Sequence, residues 1–145
     1  MKKAVKNILW VLLTVTLLSC ESMFHNDKLD YMWRLDCVEY ADDLDLYGKA
    51  GTTESKKDIW FSFERDLVEV ENKFQGFIAI GILTDNGKTL VFDFSMYDET
   101  DWPGTLLNLN RMGIDSKVST FTVTELNGSN MVLTGSKTVL SFTRW

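Results

Sequence analysis

The sequence predicts an all-β domain, an eight-stranded antiparallel up-and-down barrel with one short helix. Three observations predict it. From Leu29 onward, apolar residues recur mainly at every second position, the spacing of a strand with one buried face. Tight-turn pairs separate these runs at Asn86-Gly87, Asn127-Gly128 and Gly135-Ser136. Finally, eight strands alternating in direction bring the start of the first and the end of the last to one end of the sheet. Trp33 and Arg144 then meet there, on inward parity, and the two strands can pair to close a barrel.

The chain opens with Lys2, Lys3 and Lys6, followed by an apolar run from Ile8 to Leu18 broken only by Thr14 and Thr16. That run is too short for the roughly 20 residues a membrane-spanning helix needs. A cationic start, a short apolar core and small Ser19 read instead as a secretory signal over residues 1–19. Leu17-Leu18-Ser19-Cys20 resembles the lipobox of bacterial lipoproteins. The resemblance implies cleavage after Ser19, a diacylglycerol thioether on Cys20 and acylation of the new amine. Several acyl chains make a lasting anchor, where one holds only weakly. The expected address is the cell envelope, on the outer membrane, with periplasmic and surface faces both open. The expected membrane partner is reached through Cys20.

Cleavage removes three lysines and moves the net charge from −6 to −9. So acidic a protein is a poor partner for nucleic acid, whose phosphates require Lys and Arg. With Cys20 lipidated, Cys37 has no disulfide partner. It reads as a small core residue, not a nucleophile, because the only histidine, His25, lies in the tether. The tether runs from Cys20 to residue 28, and the barrel domain from 29 to 145.

Eight strands are expected at about 30–40, 57–64, 66–72, 77–84, 88–96, 118–126, 129–134 and 138–145. In the first, inward parity passes from Tyr31, Trp33 and Leu35 to Val38 and Tyr40, so a shift of phase is expected near Cys37. Phe61 and Phe63 share one parity and Val68 and Val70 the other, which places a turn or bulge at Glu64–Asp66. In TLVFDFSM, the residues Leu90, Phe92, Phe94 and Met96 form one buried face. The last strand points Leu140, Phe142 and Arg144 inward. Between the fifth and sixth strands, Asp101 as cap, Pro103 as an early helical residue and Gly113 as stop frame a helix of one or two turns, plugging the barrel end.

MWRLDCVEY, IWFSFERDLVEV, RMGIDSKVSTFTVTELNGSNMVL and LSFTRW are similar to the small lipocalin-like lipoproteins of Bacteroidota, a calycin-type family. Where lipocalins usually begin with Gly-x-Trp, this chain has Tyr31-Met32-Trp33. The resemblance implies a lipocalin-like barrel, at most small-molecule binding, and Trp33 and Arg144 as structural residues closing one end. The guanidinium is expected over the indole.

The opposite end would then collect the loops at 41–56, 73–76, 97–117 and 135–137, the first a candidate lid. Two functions are open. One is a carrier for a small apolar or amphipathic ligand, lined by Tyr40, Phe61, Phe63, Phe92, Phe94 and Phe121, with room left by Ala79 and Gly81. The other is a solid-cored structural or protein-interaction module, with Trp60 and Trp145 on outward parity and Trp102 in a mouth loop. The acidic residues Asp42, Asp43, Asp45, Asp98, Glu99 and Asp101 read as solvated loop charges and lack calcium-loop spacing. No catalytic residue, metal site or cofactor is expected, and no enzyme.

Overall fold

A computed structural model of the chain describes residues 28–40 and 58–145. The signal segment, Cys20, His25, the 41–56 loop and Asp42, Asp43 and Asp45 lie outside the described residues. Eight strands and one helix follow in order: β1 Met32–Tyr40, β2 Ile59–Glu64, β3 Leu67–Asn72, β4 Phe77–Asp85, β5 Thr89–Asp93, α1 Thr105–Arg111, β6 Val118–Leu126, β7 Asn130–Thr134 and β8 Thr138–Arg144. The strands form a closed barrel in sequence order. Every neighbouring pair is antiparallel, β1 with β8 included.

The turns follow from their residues. Asn86 Oδ1 accepts from the backbone N–H groups of Lys88 (3.0 Å) and Thr89 (2.8 Å). Asn127 Oδ1 does the same for Ser129 and Asn130, both at 2.8 Å. These side chains hold the hairpins as a backbone carbonyl would. At Glu64–Asp66 the change of phase is a tight turn through Arg65, whose φ is +54°. In β1 the register shift falls between Leu35 and Cys37, just before the position the parity indicated. It lets Trp33, Leu35 and Val38 all point inward.

Two expectations need correction. β5 ends at Asp93, because its carboxylate accepts the Ser95 N–H at 2.8 Å and turns the chain away. Phe94 remains buried, but Met96 is 71% exposed instead of continuing the inward row. The helix is also capped differently. Asp101 and Pro103 precede it, and its N-cap is Gly104. Glu99 supplies the capping carboxylate: Oε2 accepts from Gly104 N at 2.8 Å and Oε1 from Leu106 N at 2.9 Å.

The helix ends as the sequence indicated. Gly113 has φ +84°, Ile114 N donates to Leu109 O and Gly113 N to Asn110 O, each at 3.0 Å. This left-handed stop satisfies the last carbonyls and turns Ile114 back under the helix.

Candidate functional site: the barrel interior

The inward rows of β2, β5, β6 and β8 meet as a cluster of rings. Phe61 lies 4.9 Å from Phe142 and 6.3 Å from Phe92, between ring centroids. Phe92 lies 5.0 Å from Phe121 and 5.8 Å from Phe63. These are the separations at which aromatic pairs attract, tilted or edge to face. Phe61, Phe63, Phe92, Phe94 and Phe121 are each no more than 3% exposed, so the structure brings together five of the six residues expected to line a ligand site.

Tyr40 is the exception. It sits at the rim, 37% exposed, and its hydroxyl donates to Asn110 O in α1 at 3.2 Å. The register shift in β1 makes Val38 the last buried residue of that strand. The polar phenol tip then reaches a carbonyl at the rim and does not enter an apolar interior, where it would lack a partner.

The expected free space is also filled. A Cβ on Gly81 would come within 2.8 Å of the Phe94 ring and of Asp93 O. The missing side chain makes room for a phenylalanine, not for a guest. A void that holds water leaves accessible surface on its lining. Trp33, Phe61, Phe92, Leu109, Met112 and Ile114 have none.

The last three form the plug expected of the short helix and are the side chains that fill it. Leu109 and Met112 fall on one face of the α1 turn, and the stop at Gly113 adds Ile114 to them. A Cβ on Gly113 would stand 2.3 Å from Leu140 Cδ2, so the backbone itself packs on the β8 wall. Thr138 Oγ1 donates to Gly113 O at 2.6 Å, which satisfies a buried carbonyl. The Leu109–Met112 spacing of three was the available signal. Which surface they cover depends on the docked helix, which local pattern does not reveal.

At the other end Trp33 is fully buried, and its Nε1–H donates to Leu29 O at 3.1 Å. Trp33 and Arg144 are cross-strand partners, as closure requires. The guanidinium, however, lies over the Tyr31 ring, with Cζ 3.2 Å from its centroid, not over the indole. Arg144 also donates to Gly128 O at 3.3 Å. A cation keeps its solvation at the rim while the neutral indole takes the dry position beneath.

The mouth carboxylates are engaged locally. Backbone hydrogen bonds from Leu106 and Gly104 hold the Glu99 carboxyl below its ordinary range, with help from the nearby Lys117 ammonium, 3.6 Å away. Asp98 is held below its ordinary range by its bond from Thr100 N. Among the described residues no group of three acidic, cysteine or histidine side chains is placed to hold a metal ion. Cys37 is a half-buried free thiol. On the outer wall Trp60 is covered by Trp145, edge to face at 5.2 Å, and by the Lys73 ammonium at 4.9 Å. Its indole N–H finds no acceptor among the described residues. Trp102 stands exposed at the mouth, edge to face with Tyr97 at 5.8 Å.

A family model described as a lipocalin-like domain matches residues 13–145. Two solved structures are similar. One is a lipocalin-like protein from Bacteroides uniformis, 18% identical, with a TM-score of 0.58, covering 81% of this chain and 99% of that one. The other is an uncharacterized protein from Bacteroides eggerthii, 20% identical, with a TM-score of 0.54 and the same two coverages. At these identities the likeness concerns the fold. No curated protein matches the chain.

Proposed function

This chain belongs to the family of lipocalin-like domains, and from that premise we propose that it is a non-catalytic envelope lipoprotein, anchored through Cys20 on the outer membrane, whose barrel is a solid scaffold that meets its partners with outer surfaces and loops. One observation carries the scaffold reading: the interior is occupied by the chain's own rings, with Phe61, Phe92 and Phe94 wholly buried. A guest of any size must first displace them or the α1 plug. The anchor reading is supported by the cationic start, the short apolar run and Leu17-Leu18-Ser19-Cys20.

A second reading, the carrier of a small apolar or amphipathic molecule, is favoured by the composition of the plug. Leu109, Met112 and Ile114 place aliphatic groups where a ligand's apolar part would sit. Few polar bonds tie this segment to the strands, Tyr40 to Asn110 and Thr138 to Gly113 among them. Withdrawal of α1 would exchange one apolar occupant for another.

Native mass spectrometry of the protein extracted from its own membranes tests both. The expected mass is that of the chain from Cys20 with its acyl groups and nothing else. A further bound small molecule, retained by the wild type and lost in Phe92→Trp, would establish the carrier. An unacylated Cys20, or a Cys20→Ala variant that stays in the membrane fraction, would remove the anchor.

A further inference from the structure

We propose that the seam where the barrel closes, presenting Tyr31, Met32 and Trp145, rests on the phospholipid headgroup layer of the membrane that holds Cys20. The inference rests on the lipid anchor proposed above and adds to it which side of the barrel faces the bilayer.

The tether decides the nearer end. From Cys20 to Leu29 is nine residues, which reach about 30 Å only when fully extended. Leu29 is buried beside Trp33, so the chain enters at the Trp33 end. β1 has nine residues, about 30 Å along the strand. Turning the α1 end to the bilayer would therefore consume the whole tether, whereas the seam needs almost none of it.

The chemistry of the seam fits a headgroup layer. Tyr31 and Met32 are each 38% exposed and Trp145 is 76% exposed. They are held together: Trp145 N donates to Met32 O at 3.0 Å, and Arg144 lies across Tyr31. Tryptophan and tyrosine settle where one side of the ring is apolar and the other wet, with Lys and Arg reaching phosphate. Arg144 brings a cation onto Tyr31, Arg34 beside it is paired with Asp36 at 3.1 Å, and the flanking sequence from Lys28 to Asp36 carries no net negative charge in a protein that is acidic overall. The competing exposed surface is the β4 row of Ile78, Ile80 and Ile82. The row itself is aliphatic, joined by Leu67 beside Ile82 and by the Tyr97 hydroxyl, which accepts the Ile80 N–H at 2.9 Å, and its β3 neighbours include Glu69 and Glu71, paired with Ile80 and Ile78. An anionic bilayer repels that face.

The test uses full-length, processed protein in vesicles of phosphatidylethanolamine and phosphatidylglycerol, with part of the acyl chains dibrominated to quench nearby indoles. Trp33 and Trp60 are buried and Trp102 lies at the far end. Quenching is expected in the wild type and in Trp102→Phe, and most of it is expected to disappear in Trp145→Phe. Acylated protein that floats with the vesicles but is not quenched overturns the inference and leaves the anchor standing. Quenching lost in Trp102→Phe instead overturns it as well, as does a dimer in detergent whose seam is shielded from bromine. An unacylated Cys20, read from the mass of the N-terminal peptide, overturns anchor and seam together.

Discussion

Phe92 touches Phe61, Phe63 and Phe121, and at this position the barrel is most sensitive to the loss of atoms. Phe92→Ala removes a ring from a site whose neighbours are fixed to strands and cannot collapse. Urea unfolding is expected to show a loss of about 3–5 kcal/mol. Gly113→Ala fails for a different reason. Its φ of +84° is a strained conformation for alanine, and the added carbon meets Leu140. Unfolding should show a cost of order 1–3 kcal/mol or more. Glu99 gives a pH signature. Its folded pKa lies below the ordinary value because its charged form accepts two backbone bonds at the head of α1. The contribution is therefore complete above the unfolded pKa and is lost as pH falls through the folded one. Glu99→Gln is expected to lower stability at neutral pH and to flatten the decline as pH falls through and below the ordinary glutamate range, read from thermal midpoints. The inward phenylalanines were legible from alternation alone. Glu99 was not, because it lies five residues before Gly104 and reaches it only through the turn at Asp98–Trp102.

Among the elements, α1 separates local pattern from packing. Its stop at Gly113 could be read from residue type, and so could its short length. Its start could not: Asp101 and Pro103 are good initiators, yet the chain spends them on the preceding turn, in which Trp102 N bonds to Asp98 O at 2.7 Å. The same limit applies to β5. Leu90, Phe92 and Phe94 alternate as a strand requires, but Asp93 captures Ser95 and ends the ladder, leaving Met96 outside. Because α1 and the stop that follows it plug the barrel with Leu109, Met112 and Ile114, Leu109→Ala combined with Ile114→Ala should open apolar space without touching the ring cluster. Each truncation is expected to cost about 2–5 kcal/mol. If the protein still folds at low temperature, saturable binding of a naphthylamine probe should appear in the double variant and be absent in wild type. Equal binding in both would place the probe elsewhere.

At the scale of the molecule, stability depends on closure. The first and last strands pair from Trp33–Arg144 to Tyr40–Thr138, so the sheet has no free edge at the chain ends and should open as one unit. Amides of β1 and β8 are expected to exchange with the same opening free energy as those of β2 and β3, read by native-state hydrogen exchange. Earlier opening of the β1–β8 seam would show that the barrel is only loosely joined there. Closure was legible from the even number of alternating strands, which brings Trp33 and Arg144 to one end. Whether the closed space is full was not, since period two reports direction and says nothing of volume. Gly81 could leave room or receive a ring, and only the position of Phe94 decides it. The most direct test of a solid interior is a crystal of the wild-type protein held under xenon pressure. No xenon site is expected among Phe61, Phe92 and Phe121. An ordered xenon atom bound between those rings would contradict it.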